Sequence, residues 1–236
     1  MRNTPLGWAA VGGHEEVVEV LLSRDDIDPD KPDENGQTPL LQAARNGHAG
    51  VVKLLLGRDD VDPNEPDEDD LTPLSLAAEN GHEAVVKILL GRDDVDPNKQ
   101  DVLGTTLLLI VTWSGCEGIL KLLLERDDVD PNMPGVDGQT PLSYAAGRGH
   151  EAVVKILLGR DDVDPNTSDE DGRTPLWRAA YRGHEGMVKL LLGREGINPG
   201  KPDIYGRSPL WAATKNGYSR IIALLQPLTS TTHSTA

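Results

Sequence analysis

The stretch TPLLQAARNGHAGVVKLLLGRDDVDPNEPDEDDL, residues 38–71, is one full copy of a pattern that recurs along the chain of 236 residues. The hydroxyl residue that begins each copy recurs every 34 residues, at Thr4, Thr38, Thr72, Thr106, Thr140, Thr174 and Ser208. Self-similarity at a fixed period of this length is typical of repeat proteins, in which each copy is one small structural unit. The sequence therefore predicts seven copies of one unit.

Each copy contains its own start and stop signals. Thr38 followed by Pro39 predicts a helix start, because Thr is a favoured N-cap and Pro is tolerated at the first helical position. Gly47 is suited to the left-handed conformation that often follows a helix. In residues 51–56 the apolar side chains cover a wide face and Lys53 points outward, which predicts a second helix. The Asp-Pro-Asn and Pro-Asp segments that follow predict turns, so the unit is helix, turn, helix and projecting hairpin loop.

The composition indicates a folded protein built from small layers. Phe is absent and aromatics make up 3%, so the core must consist of Leu, Val, Ile and Ala. The longest apolar run, residues 107–111, is far shorter than the roughly 20 residues that cross a bilayer. A single cysteine, Cys116, excludes an intrachain disulfide and is typical of a reducing compartment. We therefore expect a cytoplasmic protein.

The net charge of −16 opposes binding to nucleic acid or to anionic membranes. Those ligands are held by Lys and Arg side chains that neutralise phosphates. We expect neither as a partner.

The Thr-Pro-Leu starts, the paired alanines such as Ala43 and Ala44, and the hairpin with its glycine resemble the ankyrin-repeat family, whose signature is T-P-L-H-x-A. The His of that signature is absent here, and its position holds Gly7, Leu41, Ser75, Leu109, Ser143, Trp177 and Trp211. The R-D-D-V-D-P-N connection is similar to that of ankyrin arms in fungal multidomain sensor proteins. The resemblance implies an all-α solenoid of stacked helix-turn-helix units over residues 1–228, and we expect a disordered polar tail at 229–236.

No pattern in the sequence predicts a catalytic, cofactor or metal site. Five histidines recur once per unit, at His14, His48, His82, His150 and His184. Packed helices lie about 8–10 Å apart whereas zinc ligands lie about 2 Å from the ion, so these residues cannot share a metal and are predicted to stabilise turns. Residues 60–65, DVDPNE, begin like an EF-hand loop but lack its Gly and its final Glu. We expect no enzyme activity and no cofactor.

The positions that vary between copies indicate a binding surface. The resemblance implies that a protein partner is bound at the concave face, by the hairpin tips and the ends of the first helices. In the later copies these positions bring aromatic residues together with Arg, which is the composition of interaction hot spots. The candidate partner-binding residues are Leu103, Trp113, Arg148, Arg173, Tyr181, Arg182, Ile204, Tyr205 and Arg207.

The fourth copy, TTLLLIVTWSGCEG at residues 105–118, departs from the others and allows two interpretations. In one, Trp113 begins the binding patch. In the other, Leu107, Ile110, Val111 and Trp113 repack the core in place of the Pro and Ala of the other copies.

The sequence as a whole favours a monomeric protein-interaction module or scaffold that binds a protein through its concave face. The alternative is a structural spacer, or a regulatory arm of a larger multidomain protein, without a ligand of its own.

Overall fold

A computed structural model describes residues 3–229, and fourteen helices lie within that range in seven successive pairs. The first helices of the pairs are α1 (Pro5–Gly12), α3 (Pro39–Arg45), α5 (Pro73–Glu79), α7 (Leu107–Ser114), α9 (Pro141–Arg148), α11 (Pro175–Arg182) and α13 (Pro209–Lys215). The second helices are α2 (Glu15–Leu22), α4 (Ala49–Leu56), α6 (Glu83–Leu90), α8 (Glu117–Leu124), α10 (Glu151–Leu158), α12 (Glu185–Leu192) and α14 (Ser219–Thr229). The predicted all-α, helix-turn-helix architecture is confirmed. Of the predicted tail, Thr229 is the last residue of α14, and residues 230–236 lie outside the described range.

The first helices begin and end at the predicted signals. Thr174 has an extended backbone, its Oγ1 accepts the backbone N–H of Trp177 at 3.1 Å, and Pro175 occupies the first helical position. The same α11 ends at Gly183, whose φ of 81° lies in the left-handed region. A Cβ at this glycine would lie 2.7 Å from the ring of Tyr218, so both the backbone and the packing require Gly.

The helices form two compact units. Within the described residues, unit 1 comprises 3–107 and 118–129, and unit 2 comprises 108–117 and 130–229. In unit 1, α3 packs against α1 and α5, and α4 packs against α2 and α6. In unit 2, α11 packs against α9 and α13, and α12 packs against α10 and α14. Each unit therefore has one layer of first helices and one layer of second helices.

Small and branched apolar side chains form the core of each layer. In α4, Val51, Val52 and Leu55 are fully buried, whereas Lys53 is exposed, as its position in the pattern predicts. The alanine pair Ala179 and Ala180 of α11 is also fully buried. Each fully buried Val or Leu side chain contributes about 1.5–3 kcal/mol of hydrophobic stabilisation, so many small layers replace one large core.

Helix α7 of the fourth copy has both buried apolar residues and an exposed tryptophan. Leu107 and Val111 are buried, so these apolar residues do repack the core. The ring of Trp113 is 49% exposed, so it is not one of them. Repacking explains the leucine and valine substitutions, and Trp113 remains on the surface of unit 2.

Polar residues of the connections link each copy to the next. In unit 1, Nδ2 of Asn64 donates to the carbonyl of Asp94 at 2.6 Å, and Oδ1 of Asn64 accepts the N–H of Asp96 at 2.9 Å. The Arg58 guanidinium pairs with Asp60 and also donates to the Leu22 carbonyl of the preceding copy. The R-D-D and D-P-N segments are therefore braces between copies, besides being turns.

The repeated histidines also reach the preceding copy. In unit 2 the Nε2–H of His150 donates to the carbonyl of Trp113 at 3.0 Å, and His184 makes the equivalent bond to Gly147 at 3.1 Å. His48 does the same to Val11 in unit 1. Each ring holds the end of the first helix in the preceding copy.

Candidate functional site

A cleft of about 800 Å³ on unit 2 is lined by side chains of α7, α9, α11 and α13 and by residues of the hairpins between them. We call it the arginine–aromatic cleft. Its aromatic lining residues are Trp113, Tyr144, Trp177, Tyr181 and Trp211, and its cationic ones are Arg148, Arg173, Arg178, Arg182, Arg207 and Lys215. No carboxylate among residues 3–229 lines it.

Two stacked rings form the centre of the cleft. Trp177 and Tyr181 are four residues apart on α11 and therefore share a face of the helix. Their ring centroids are 5.1 Å apart with an interplanar angle of 15°. Trp177 is buried, and its Nε1–H donates to the carbonyl of Arg207 at 2.8 Å. Trp177 is thus fixed in position and supports the more exposed ring of Tyr181.

Cations lie over the three tryptophan rings of the cleft, with Arg173 Cζ 5.2 Å from the centroid of Trp177. The Arg148 Cζ is 3.9 Å from the centroid of Trp113, and the Lys215 Nζ is 5.0 Å from that of Trp211. Cation–π contacts of this kind contribute about 0.5–1 kcal/mol at exposed sites and hold both partners in place. Arg148, Lys215 and the rings beneath them are therefore arranged before any ligand arrives.

A buried aspartate in the hairpin before α13 holds one of the arginines. Asp203 Oδ1 accepts the backbone N–H groups of Tyr205 and Arg207, and its Oδ2 accepts from the Arg207 guanidinium at 2.7 Å. Burial alone raises the pKa of Asp203, but the Arg207 hydrogen bond, the two N–H groups and the Arg207 charge together outweigh it. The pKa of Asp203 therefore lies below its ordinary value. The carboxylate of Asp169 likewise accepts a hydrogen bond from the Arg178 guanidinium, with Nε 3.1 Å from Oδ2.

In the hairpin before α9, the aspartate that accepts hydrogen bonds lies two residues later than in the other hairpins. Gly135 stands where the other hairpins carry Asp33, Asp67, Asp101, Asp169 and Asp203. Asp137, two residues later, accepts the N–H of Gln139 at 3.1 Å and the Tyr144 hydroxyl at 3.2 Å. Burial raises the pKa of Asp137, but the hydrogen bonds from Gln139 and Tyr144, with the charge of Arg178, lower it below the ordinary value.

Three cations of the cleft have no carboxylate partner within residues 3–229. Arg178 and Arg207 pair with the buried aspartates, and Arg173 pairs with Asp171 at 2.8 Å. None of the ion pairs formed by residues 3–229 includes Arg148, Arg182 or Lys215. In a chain of net charge −16, the arginine–aromatic cleft is therefore a local excess of positive charge.

The structure brings six of the nine predicted partner-binding residues together. Trp113, Arg148, Arg173, Tyr181, Arg182 and Arg207 all line the cleft. Ile204 and Tyr205 lie exposed in the hairpin before α13, outside the cleft lining, although the Arg207 guanidinium lies over the Tyr205 ring. Leu103 is exposed in a hairpin of unit 1.

The nine predicted residues omit eight lining residues, namely Gln139, Tyr144, Gly147, Trp177, Arg178, His184, Trp211 and Lys215. In the sequence, Trp177 and Trp211 stand out only as departures from the T-P-L-H signature. Their spacing was the available signal: Trp177 and Tyr181 are four residues apart, as are Trp211 and Lys215, which places each pair on one helix face.

Metal sites and membrane-spanning helices are both absent from the described range. Residues 3–229 contain no group of three or more His, Cys, Asp or Glu side chains that could hold a metal ion. No helix in that range has the length and apolar character needed to span a membrane.

A family model described as "Ankyrin repeats (3 copies)" matches residues 1–67, 74–169, 108–203 and 161–233. The chain belongs to the ankyrin-repeat family. Ankyrin-repeat domains are in general non-catalytic modules that bind proteins.

Solved ankyrin-repeat structures are similar to this chain over most of its length. The ankyrin-repeat domain of Bcl-3, described as a unique member of the IkappaB protein family, is 26% identical with a TM-score of 0.85, over 95% of this chain and 98% of that one. The human ASB11 ankyrin-repeat domain, at 23% identity and a TM-score of 0.78, covers 94% of this chain and 97% of its own. An ankyrin-repeat domain from Acinetobacter baumannii is 28% identical with a TM-score of 0.73, over 80% and 96%. No curated protein matches the chain significantly.

Proposed function

We propose that this ankyrin-repeat chain is a protein-interaction module and that its partner binds in the arginine–aromatic cleft of unit 2. The observation that carries the proposal is a set of three cations without a carboxylate partner within residues 3–229, Arg148, Arg182 and Lys215, in the cleft that also holds the stacked rings of Trp177 and Tyr181. Unpaired charge and exposed aromatic surface both gain favourable contacts when a complementary partner covers them.

The rigidity of the cleft supports the same conclusion. Trp177 is fixed by its hydrogen bond to the Arg207 carbonyl, and Arg207 by Asp203. Side chains that are already ordered lose little conformational entropy on binding, so more of their contact energy appears as affinity. Trp, Tyr and Arg are also the residue types that dominate binding energy in known interfaces.

The side chains of the cleft favour binding over catalysis. The lining offers cations and rings, and its histidine, His184, donates its Nε2–H to the carbonyl of Gly147. A general base would need a nucleophile within hydrogen-bonding distance, and the lining residues do not pair in that way. We further propose that the chain is a cytoplasmic monomer that binds neither nucleic acid nor membrane. Sedimentation measures its oligomeric state, and imaging of tagged protein shows its location.

Affinity capture of partner proteins from a lysate of the source organism, with the wild type and two matched variants as bait, tests the proposal. The cleft variant is Trp113→Ala/Arg182→Ala, and the control is Trp8→Ala/Arg220→Ala. Each removes one Trp and one exposed Arg, and the two tryptophans are similarly exposed, at 49% and 54%. Circular dichroism shows whether both remain folded. We expect a protein that the wild type and the control capture and the cleft variant loses.

Capture that is equal for all three proteins, or lost in both variants, contradicts the proposal. In that case the chain is better explained as a structural spacer, or as a regulatory arm of a larger protein, without a ligand of its own.

A further inference from the structure

We propose that the partner of the arginine–aromatic cleft is an extended acidic peptide segment with a carboxylate at about every third residue. This inference rests on the proposed function and names the chemistry of the segment that the cleft would hold.

Charge complementarity is the first argument. Three of the six cations in the cleft are neutralised by Asp169, Asp171 and Asp203. Arg148, Arg182 and Lys215 are exposed and lack such a carboxylate within residues 3–229, and no carboxylate lines the cleft. A ligand that supplies two or three carboxylates would pair them without displacing any existing ion pair. Arg in particular binds carboxylates through two parallel hydrogen bonds.

The spacing of the cations is the second argument. Arg148 and Arg182 occupy equivalent positions one repeat apart, at the ends of α9 and α11. These two helices pack against each other, and packed helices lie about 8–10 Å apart. An extended chain advances about 3.3 Å per residue, so three residues match one repeat. On α13 the position equivalent to Arg182 holds Asn216, and the preceding residue, Lys215, supplies a third cation one repeat further along.

The aromatic rings are the third argument. Tyr181 and Trp177 stack on α11, the helix that also carries Arg182, and Tyr181 is exposed. A flat, partly exposed ring surface favours an apolar or proline side chain between the acidic residues of the ligand. The cleft therefore fits a segment that alternates carboxylates with apolar residues.

A polynucleotide is the competing anionic ligand, and the total charge argues against it. Nucleic acid carries a phosphate at every nucleotide, so its binding depends on many simultaneous phosphate contacts. The net charge of −16 repels a ligand in proportion to the ligand's own negative charge. A short segment with three or four carboxylates suffers the least repulsion for the cations it reaches.

Fluorescence anisotropy with labelled peptides tests the inference on the full chain. The probe is Glu-Pro-Leu repeated four times, whose prolines favour an extended helix with three residues per turn and about 3.1 Å per residue, placing its carboxylates along one edge. The comparison peptides have the same composition with the four Glu adjacent, or Gln in place of every Glu. A labelled single-stranded oligonucleotide is the fourth probe.

We expect the spaced acidic peptide to bind about tenfold more tightly than the clustered peptide, and the Gln peptide to bind more weakly than either. Arg182→Gln should weaken binding of the spaced peptide about tenfold, whereas Arg220→Gln, an exposed control, should leave it unchanged. The affinity should also fall as the salt concentration rises.

Equal binding of the spaced and clustered peptides overturns the spacing argument, and equal binding of the Gln peptide overturns the charge argument. Tighter binding of the oligonucleotide, or no binding of any peptide, overturns the inference as a whole. If no peptide binds while capture still depends on Trp113 and Arg182, the inference fails and the proposed function stands. If capture does not depend on them, the proposed function itself has failed.

Discussion

Asp30 and Asn64 occupy equivalent connector positions one repeat apart, but only Asn64 donates a hydrogen bond to the next copy. Nδ2 of Asn64 donates to the Asp94 carbonyl, as the corresponding Asn98, Asn132 and Asn166 do in their connections. A carboxylate cannot donate, and Oδ1 of Asp30 is buried without a partner while Oδ2 accepts the N–H of Asp62. Burial, followed by the nearby acids, raises the pKa of Asp30 despite that hydrogen bond.

The substitution Asp30→Asn should therefore stabilise unit 1. The new amide can donate to the carbonyl at the corresponding position, Asp60, and the substitution also removes a half-buried charge. We expect a gain of about 1 kcal/mol in the free energy of unfolding at neutral pH, measured by urea denaturation. Asp25→Asn, an exposed change of the same charge in the same connector, is the control. A gain no larger than that of the control contradicts this account.

The pH dependence of the Asp30 effect has a definite sign. The folded pKa is raised, so the folded state favours the protonated acid, and that favourable contribution is lost as the pH rises through the folded pKa. The advantage of Asp30→Asn should be largest at neutral pH. It should shrink as the pH falls through the raised folded pKa and towards the ordinary value of 3.8. A constant advantage across this range would show that titration of Asp30 has no part in it.

Asp203→Ala should destabilise unit 2 by about 1–3 kcal/mol, because two backbone N–H groups and the Arg207 guanidinium lose their acceptor. Urea denaturation measures the loss, and Glu195→Ala, an exposed acid, is the control. The folded pKa of Asp203 is lowered, so its contribution is present above the unfolded value of 3.8 and is lost as the pH falls through the folded pKa. The difference between wild type and Asp203→Ala should therefore vanish in strong acid, and a difference that persists there would point to packing alone.

Asp137→Ala should destabilise the hairpin before α9 by about 1 kcal/mol, because Gln139 and Tyr144 lose their shared acceptor. Adding Gly135→Asp should restore most of the stability. A Cβ at Gly135 would lie 3.4 Å or more from every neighbour, including 3.6 Å from the Tyr144 hydroxyl, and the other hairpins carry Asp at this position. Thermal denaturation of the single and double variants measures the rescue. If the double variant is as unstable as Asp137→Ala, the two positions are not interchangeable.

Gly183→Ala should be more destabilising than Gly196→Ala by about 1–3 kcal/mol. Both glycines have φ near +80°, so the backbone strain is the same. Only at Gly183 would the new methyl group meet the Tyr218 ring, at 2.7 Å, whereas nothing lies within 4 Å of a Cβ at Gly196. Urea denaturation of the two variants isolates the contact with Tyr218, and equal losses would show that strain alone matters.

The repeat itself and its local signals were predictable from the sequence because they depend on neighbouring residues. The Thr–Pro helix starts, the left-handed glycine at the end of α11 and the buried valines of α4 all follow from short patterns. The hydrogen bonds that the connectors make between copies could not be predicted from such patterns. Asn64 and Arg58 bond to atoms about one repeat away along the chain, and a local pattern cannot show which carbonyl lies there.

The candidate site was predicted in part for a similar reason. Exposed Trp113 and Tyr181 could be inferred from positions that vary between copies. The charge state of the cleft could not, because it depends on which arginines are already paired with Asp169, Asp171 and Asp203. The nine-residue separation of Asp169 and Arg178, which Asp33 and Gln42 share, is a signal that would have revealed one such pair.

Hydrogen–deuterium exchange of the full chain, with and without the captured partner, tests the central claim most directly. If the partner occupies the arginine–aromatic cleft, exchange should slow at the ends of α9 and α11, around Arg148 and Arg182, and in α13 around Lys215. Slower exchange confined to unit 1, or no change in α9, α11 and α13 while the partner remains bound, would contradict the claim that this cleft is the binding surface.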